Sequence, residues 1–356
     1  MPLKTDELRT QPLGPMPTPA ELGSAHPITD DVAERIAESR RQIEKILTGE
    51  DERLLVIVGP CSVHDTNAAL DYAERLAHVQ DLHKDELFIV MRTYFEKPRT
   101  EGGWKGFLND PDLDGSHKIE EGLSRARRLL IDLAKKNIPV AMEFLDPNYA
   151  AYLEDLVSWG CIGARTCSSQ VHRNLASNLK CPIGFKNSIH GKLEPAIFSI
   201  KQALSPQVFF APDSTFKPSI IQSKGNPNAH LVLRGSGERS NYDKASVSEA
   251  ARLLKKHRIY SQILIDCGHG NSQKNPEAQL EVMAEVMRLK YEKRLPICGL
   301  MIESHLEAGF QEVKKGASAK RSITDPCLDI KSVEKAFESS FSLEMLDPLH
   351  TTKAVR

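Results

Sequence analysis

The sequence predicts a (β/α)8 barrel that carries an N-terminal extension and an added β-hairpin before the sixth strand. Two observations lead there. Short β-branched or Leu-rich runs recur from Leu54 onward, each usually followed by a stretch with helical periodicity, the signature of parallel strands joined by helices. There are eight such runs: 54 to 61, 87 to 92, 139 to 145, 161 to 166, 182 to 187, 230 to 235, 263 to 270 and 299 to 304. Spread over roughly 250 residues, they fit one closed barrel better than a doubly wound sheet, and no glycine-rich dinucleotide fingerprint points to the latter.

The elements follow in order. Residues 1 to 30, rich in Pro and polar side chains, read as an extended arm. A helix fits 31 to 47 with Asp30 or Asp31 as N-cap, so the arm and helix make up residues 1–50 and the barrel 51–350. Between the runs, residues 67 to 79 place Ala69, Ala73 and Leu76 on one helical face, and residues 118 to 135 do the same with Ile119, Leu123, Ala126, Leu130 and Leu133. Asp146-Pro147 is a cap and first turn for a helix after the third strand. The stretch 211 to 230 breaks the alternation, and its Gly225-Asn226-Pro227-Asn228 turn predicts the added hairpin.

With 40% apolar and 27% charged residues among 356, the chain belongs with soluble globular proteins rather than disordered or fibrous ones. Lys plus Arg number 47 against 48 Asp plus Glu, so the net charge of -1 gives no general attraction to nucleic acid or an anionic membrane. No window of about eighteen consecutive apolar residues occurs, and the first residues carry charges and prolines where a signal peptide needs an apolar core, which predicts a cytoplasmic protein. The seven cysteines are scattered without a CxxC pair and are expected to be buried thiols.

In a barrel of this kind, chemistry sits at the carboxyl ends of the strands. Read in order, those positions hold Cys61, Arg92, Glu143, Arg165, Lys186, Arg234, His269 and Glu303, every one polar or ionisable. A single Arg or Lys at a strand end is ordinarily a solvated rim residue. Arg92, Arg165, Lys186 and Arg234 around one mouth would repel one another, so together they imply a small ligand with more than one negative charge, such as a phosphate beside a carboxylate. Cys61, His269 and Glu303 are donors for a divalent transition metal, with Asp325 in the loop after the last strand as a fourth; each alone also reads as an ordinary core or turn residue. The loop 92 to 106 adds Lys97-Pro98-Arg99-Thr100, two cations and a hydroxyl on a stiffened backbone suited to a second phosphate.

From about residue 35 to 345 the chain resembles the class I DAHP (3-deoxy-D-arabino-heptulosonate 7-phosphate) synthases of the short microbial type regulated by aromatic amino acids. The resemblance rests on GPCSVHD (59 to 65), MRTYFEKPRT with GWKG (91 to 106), EFLD (143 to 146), GART (163 to 166), SQVHRNLAS (169 to 177), GFKN (184 to 187), LRG (233 to 235), HGNS (269 to 272), ESH (303 to 305) and SITD (322 to 325). It implies condensation of phosphoenolpyruvate with erythrose 4-phosphate in a metal-dependent barrel, first in the shikimate pathway. The implied ligands of the divalent ion (Mn, Fe, Co or Zn) are Cys61, His269, Glu303 and Asp325. Phosphoenolpyruvate would be held by Arg92, Lys97, Gly163, Ala164, Arg165, Lys186 and Arg234, and the sugar phosphate by Arg99 and Thr100, with Lys97 as acid and Glu143 orienting water. A homodimer or homotetramer is implied, with the Pro-rich arm reaching a neighbour.

Several stretches depart from the family pattern: Ser168 in place of an acid, Ser188, Ile189 and His190 after GFKN, and Ser236 after the sixth-strand Arg. These leave two alternatives: a paralogue that condenses phosphoenolpyruvate with a different aldehyde, or a non-catalytic effector-binding paralogue. Lys180, where the family commonly has a small serine at its inhibitor site, predicts altered or lost inhibition by Phe, Tyr or Trp.

Overall fold

The computed structural model describes residues 9–213 and 215–340. The chain begins with α1 (Pro19–Ala25) and α2 (Asp30–Thr48), then alternates: β1 (Leu54–Gly59), α3 (Thr66–Leu82), β2 (Leu87–Arg92), α4 (Ile119–Lys135), β3 (Val140–Glu143), α5 (Pro147–Leu153), β4 (Trp159–Ile162), α6 (Gln170–Asn178), β5 (Ile183–Lys186) and α7 (Glu194–Ala203). A hairpin of β6 (Val208–Pro212) and β7 (Pro218–Gln222) intervenes before β8 (Ala229–Leu233), α8 (Lys244–Lys256), β9 (Ile263–Asp266), α9 (Ala278–Tyr291) and β10 (Ile297–His305). Short strands β11 (Glu307–Phe310), β12 (Arg321–Ser322) and β13 (Leu328–Asp329) lead into α10 (Ile330–Ser340).

The strands β1, β2, β3, β4, β5, β8, β9 and β10 pair in that order, all parallel, and β10 returns to β1 through Leu55↔Gly299 to Gly59↔Glu303. This is the predicted TIM-type (β/α)8 barrel. Along β1, Leu55 and Ile57 enter an interior cluster with Val90, Trp159, Val232, Leu264 and Met301, while Leu54, Val56 and Val58 pack outward in the core shared with the helices. Ile43, Ile46 and Leu47 of α2 join the interior cluster, so this helix stops one end of the barrel with an apolar plug. The other end is left for the strand termini and their loops.

Local chemistry explains most element ends. Thr29 caps α2, not the expected Asp30 or Asp31; those two acids fill the first turn, where they complement the helix dipole. Asp146 caps α5 as expected, its Oδ1 accepting the Asn148 N–H at 2.9 Å, with Pro147 in the first turn. The arm is not wholly extended, because Thr18 and Glu21 form a capping box that starts α1. Residues 1–8 and 341–356, including the expected barrel limit at 350, lie outside the described residues.

The hairpin forms with a different turn from the one expected. Phe210 faces Ile220 and Pro212 faces Pro218, so the turn falls between Pro212 and Pro218. Gly225 to Asn228 instead lead into β8, where buried Asn226 donates to the carbonyls of Leu179 and Cys181. All seven cysteines are free and buried. Among the described residues no helix is long and apolar enough to cross a membrane.

Candidate active site

Several strands end earlier than the apolar runs suggest. The fourth is Trp159–Ile162, so Arg165 stands on the turn after it, while Cys61, Arg234 and His269 likewise lie one to three residues beyond their strands. The residue that ends β9 is Asp266, which sequence reasoning passed over. Its one signal was an acid closing an otherwise apolar run, ILID.

The loops nevertheless converge. A cavity of about 380 Å³ at the strand ends is lined by Lys97, Arg99, Thr100, Glu143, Gly163, Ala164, Arg165, Lys186, Arg234, His269 and Asp325, all expected, by Ile189, one of the departures from the family pattern, and by Lys274 and Thr324, which were not expected. A larger cavity of about 780 Å³ lies at the opposite end, beside Arg53, Glu86 and Tyr291, and none of the expected site residues borders it. Among the described residues no carboxylate pairs with Arg99, Arg165 or Arg234. Burial, with repulsion from Arg165, lowers the Arg234 pKa, as expected where cations crowd without their anion.

Glu143 and Gly163 fit closely. A Cβ on Gly163 would stand 2.0 Å from Glu143 Oε1, so the glycine makes the room in which that carboxylate sits. Gly59 also relieves crowding below: its φ is +151°, and a Cβ there would press on the Arg92 backbone at 3.1 Å as the chain turns towards Cys61.

Beneath the cavity, Cys61 Sγ and carboxylate oxygens of Glu303 and Asp325 all lie within 4.8 Å of one another. Donors that each sit roughly 2.0–2.3 Å from one ion fall within such a span, and a thiol with two carboxylates suits a divalent transition metal. Each donor faces a cation. Lys97 Nζ is 3.1 Å from Cys61 Sγ, Arg92 donates to Glu303 Oε1 at 3.0 Å, and Lys274 donates to Asp325 Oδ1 at 3.2 Å. Burial pushes the Cys61 thiol up, helped by Glu303, so it is a thiol unless a cation draws the proton off. Burial also works against charge on Glu303 and Asp325, yet nearby His269, Arg92 and Lys97 hold the first below its ordinary value, and Lys274, Lys97 and His269 the second.

Two expected residues stand differently from the rest. Arg92 does not line the cavity; wholly buried, it lies over the Tyr94 ring at 4.0 Å and braces Glu303 from behind. His269 lines the cavity but falls outside the close trio, its Nδ1 drawn to within 2.9 Å of Asp266 Oδ2. Lys186 Nζ reaches that same oxygen at 2.8 Å. Of the departures, Ile189 borders the cavity and Ser236 accepts the Glu238 and Arg239 N–H groups, organising its own turn.

A parallel barrel whose mouth joins guanidinium groups that have no carboxylate partner among the described residues to a cluster of metal-competent donors defines a class: an enzyme for a small, multiply anionic substrate. The DAHP synthetase I family model matches residues 28–338, and the chain belongs to that family. It is 46% identical over 334 residues to a Trp-sensitive phospho-2-dehydro-3-deoxyheptonate aldolase of Enterobacter agglomerans, covering 93% of this chain and 96% of that one. The Trp-sensitive enzyme of Escherichia coli K12 is 44% identical over 337 residues, covering 94% and 97%. Among solved structures, phospho-2-dehydro-3-deoxyheptonate aldolase from Francisella tularensis SCHU S4 superposes with a TM-score of 0.89 at 41% identity, covering 93% of this chain and 97% of that one.

Proposed function

We infer that this chain condenses phosphoenolpyruvate with D-erythrose 4-phosphate and water, giving 3-deoxy-D-arabino-heptulosonate 7-phosphate and phosphate, the first step of the shikimate pathway. The observation that carries this reading is one cavity in which Arg99, Arg165 and Arg234 have no carboxylate partner among the described residues, above the Cys61–Glu303–Asp325 trio. Two phosphates and a carboxylate would supply the missing anions.

In this reading Lys97, Arg165, Lys186 and Arg234, with the Gly163-Ala164 turn, hold phosphoenolpyruvate, and Arg99 and Thr100 hold the sugar phosphate. Arg92 contributes through Glu303 from below the cavity. Cys61, Glu303 and Asp325 would hold a divalent ion (Mn, Fe, Co or Zn), with His269 as the fourth ligand, and the ion would supply Lewis acidity at the aldehyde oxygen. Lys97 lies at the boundary of the trio and the cavity, placed to protonate the alkoxide formed when the methylene carbon attacks. Glu143, on the same stretch of cavity wall as Gly163, orients the water that adds at the enol carbon before phosphate leaves by carbon–oxygen cleavage. The guanidinium groups then stabilise the departing dianion. A cytoplasmic setting and self-association accompany this reading, and Lys180, in the place of the family's serine, supports altered or lost aromatic inhibition.

The test is direct. Purified protein with Mn(II), phosphoenolpyruvate and erythrose 4-phosphate should consume phosphoenolpyruvate; no turnover with or without metal refutes the reaction, and turnover only with another aldehyde replaces the second substrate. Cys61→Ala should lose metal content and activity together, whereas full retention of both refutes the ligand role.

A further inference from the structure

We propose that Asp266 is a positioning residue that ties His269 to Lys186 through one shared carboxylate oxygen, so that occupancy of the metal site and of the anion site strengthen each other. The proposal rests on the metal-ligand role inferred above for His269 and the substrate-binding role inferred for Lys186. Asp266 itself belongs to neither set.

The geometry is specific. Asp266 is fully buried at the end of β9, and its Oδ2 lies 2.8 Å from Lys186 Nζ and 2.9 Å from His269 Nδ1. Neither contact is a straight hydrogen bond, so one oxygen is divided between two donors and fully satisfies neither. The other oxygen is committed, since Oδ1 accepts the Gly268 N–H at 3.0 Å and thereby fixes the carboxylate's rotation. His269 reaches Asp266 from a left-handed backbone, φ 52°, an unfavourable state for a residue with a Cβ. A strained backbone that aims an imidazole at a buried acid is a built arrangement rather than an incidental contact. Lys186 is also buried, so water does not screen the division of charge.

The coupling follows from that division. With Nδ1 carrying its proton towards Asp266, the lone pair of Nε2 is the one free for a cation, which fixes the tautomer. Engagement of Nε2 makes the Nδ1 proton a stronger donor, which draws on Oδ2 and loosens its hold on the Lys186 ammonium. Lys186 is then freer to meet a substrate anion. In reverse, an anion on Lys186 returns Oδ2 to His269 and makes the imidazole a better ligand. Linkage requires the two effects to be equal.

The experiment titrates metal-stripped protein with Mn(II), followed by the electron paramagnetic resonance of the free ion, alone, with phosphoenolpyruvate and with inorganic sulfate. For the unaltered chain, phosphoenolpyruvate should tighten Mn(II) several-fold. Asp266→Asn should weaken Mn(II) by roughly 10–100-fold, the usual loss for an outer partner of a ligating histidine, and should abolish the tightening. Lys186→Met should bind Mn(II) no more weakly than the unaltered chain while also losing the tightening; it keeps the proposal testable if the first variant does not fold. Unchanged Mn(II) affinity in Asp266→Asn, or tightening that survives in Lys186→Met, overturns the proposal. If the unaltered chain binds no phosphoenolpyruvate, the substrate assignment falls and the sulfate arm decides the coupling.

Discussion

Glu96 shows how a buried setting sets a side chain's charge. It lies in the FEKPRT stretch, accepts the Asp146 N–H at 3.3 Å, and among the described residues no cation pairs with it. Burial, with repulsion from Asp146 and Glu143, pushes its pKa up to about 8 from an ordinary 4.5. The folded chain therefore keeps a proton that the unfolded chain releases near its ordinary value, and stability should fall as pH rises from about 4.5 to about 8. Glu96→Gln keeps the acceptor and removes the titration, so thermal melts at pH 6 and 9 should show a smaller loss for the variant than for the unaltered chain; equal losses would refute the assignment. Residue types at the mouth were legible in the sequence because eight strand ends held polar groups in succession. Asp266 and Lys274 were not, because an acid closing an apolar run and a lysine in a loop acquire meaning only from what lies across the barrel: Lys186 and His269 for the first, Asp325 for the second.

Among the elements, α2 has the clearest mechanical role. Its span and an acidic start were visible in the sequence, but not that Ile43, Ile46 and Leu47 close the barrel against Leu55, Ile57 and Trp159. Ile43→Ala should cost about 2–5 kcal/mol in chemical denaturation, as large-to-small core changes do, while turnover per folded molecule is unchanged; a loss under about 1 kcal/mol would mean that the plug packs loosely. The same distinction explains the hairpin. Turn residues between two short runs announced a hairpin, but the turn went to Asp213, whose Oδ1 accepts the Thr215 and Lys217 N–H groups, rather than to the more turn-like Gly225 to Asn228. Asn226 is fixed instead by carbonyls from a distant part of the chain, contacts that local propensity does not contain.

For the whole molecule, one surface is conspicuously uncovered. Val208, Phe210 and Ile220 are 69%, 75% and 83% exposed on the same face of the hairpin, a patch of the kind that in soluble proteins marks an interface. Self-association through it accords with the expected dimer or tetramer; a Phe210→Ser, Ile220→Ser double variant should lower the molar mass seen by light scattering, and an unchanged mass would place the interface elsewhere. The sequence by itself determined the barrel, because alternation of strand and helix periods leaves few closed topologies, and it determined the chemical class of the mouth, because that depends on residue types at strand ends. Only the tertiary structure decided that Arg92 lies beneath the cavity rather than in it, that three metal donors sit within 4.8 Å while His269 leans to Asp266, and that one buried carboxylate oxygen serves both an ammonium and an imidazole. These are distances between strands far apart in the chain, fixed by how the barrel closes, and no local pattern encodes them.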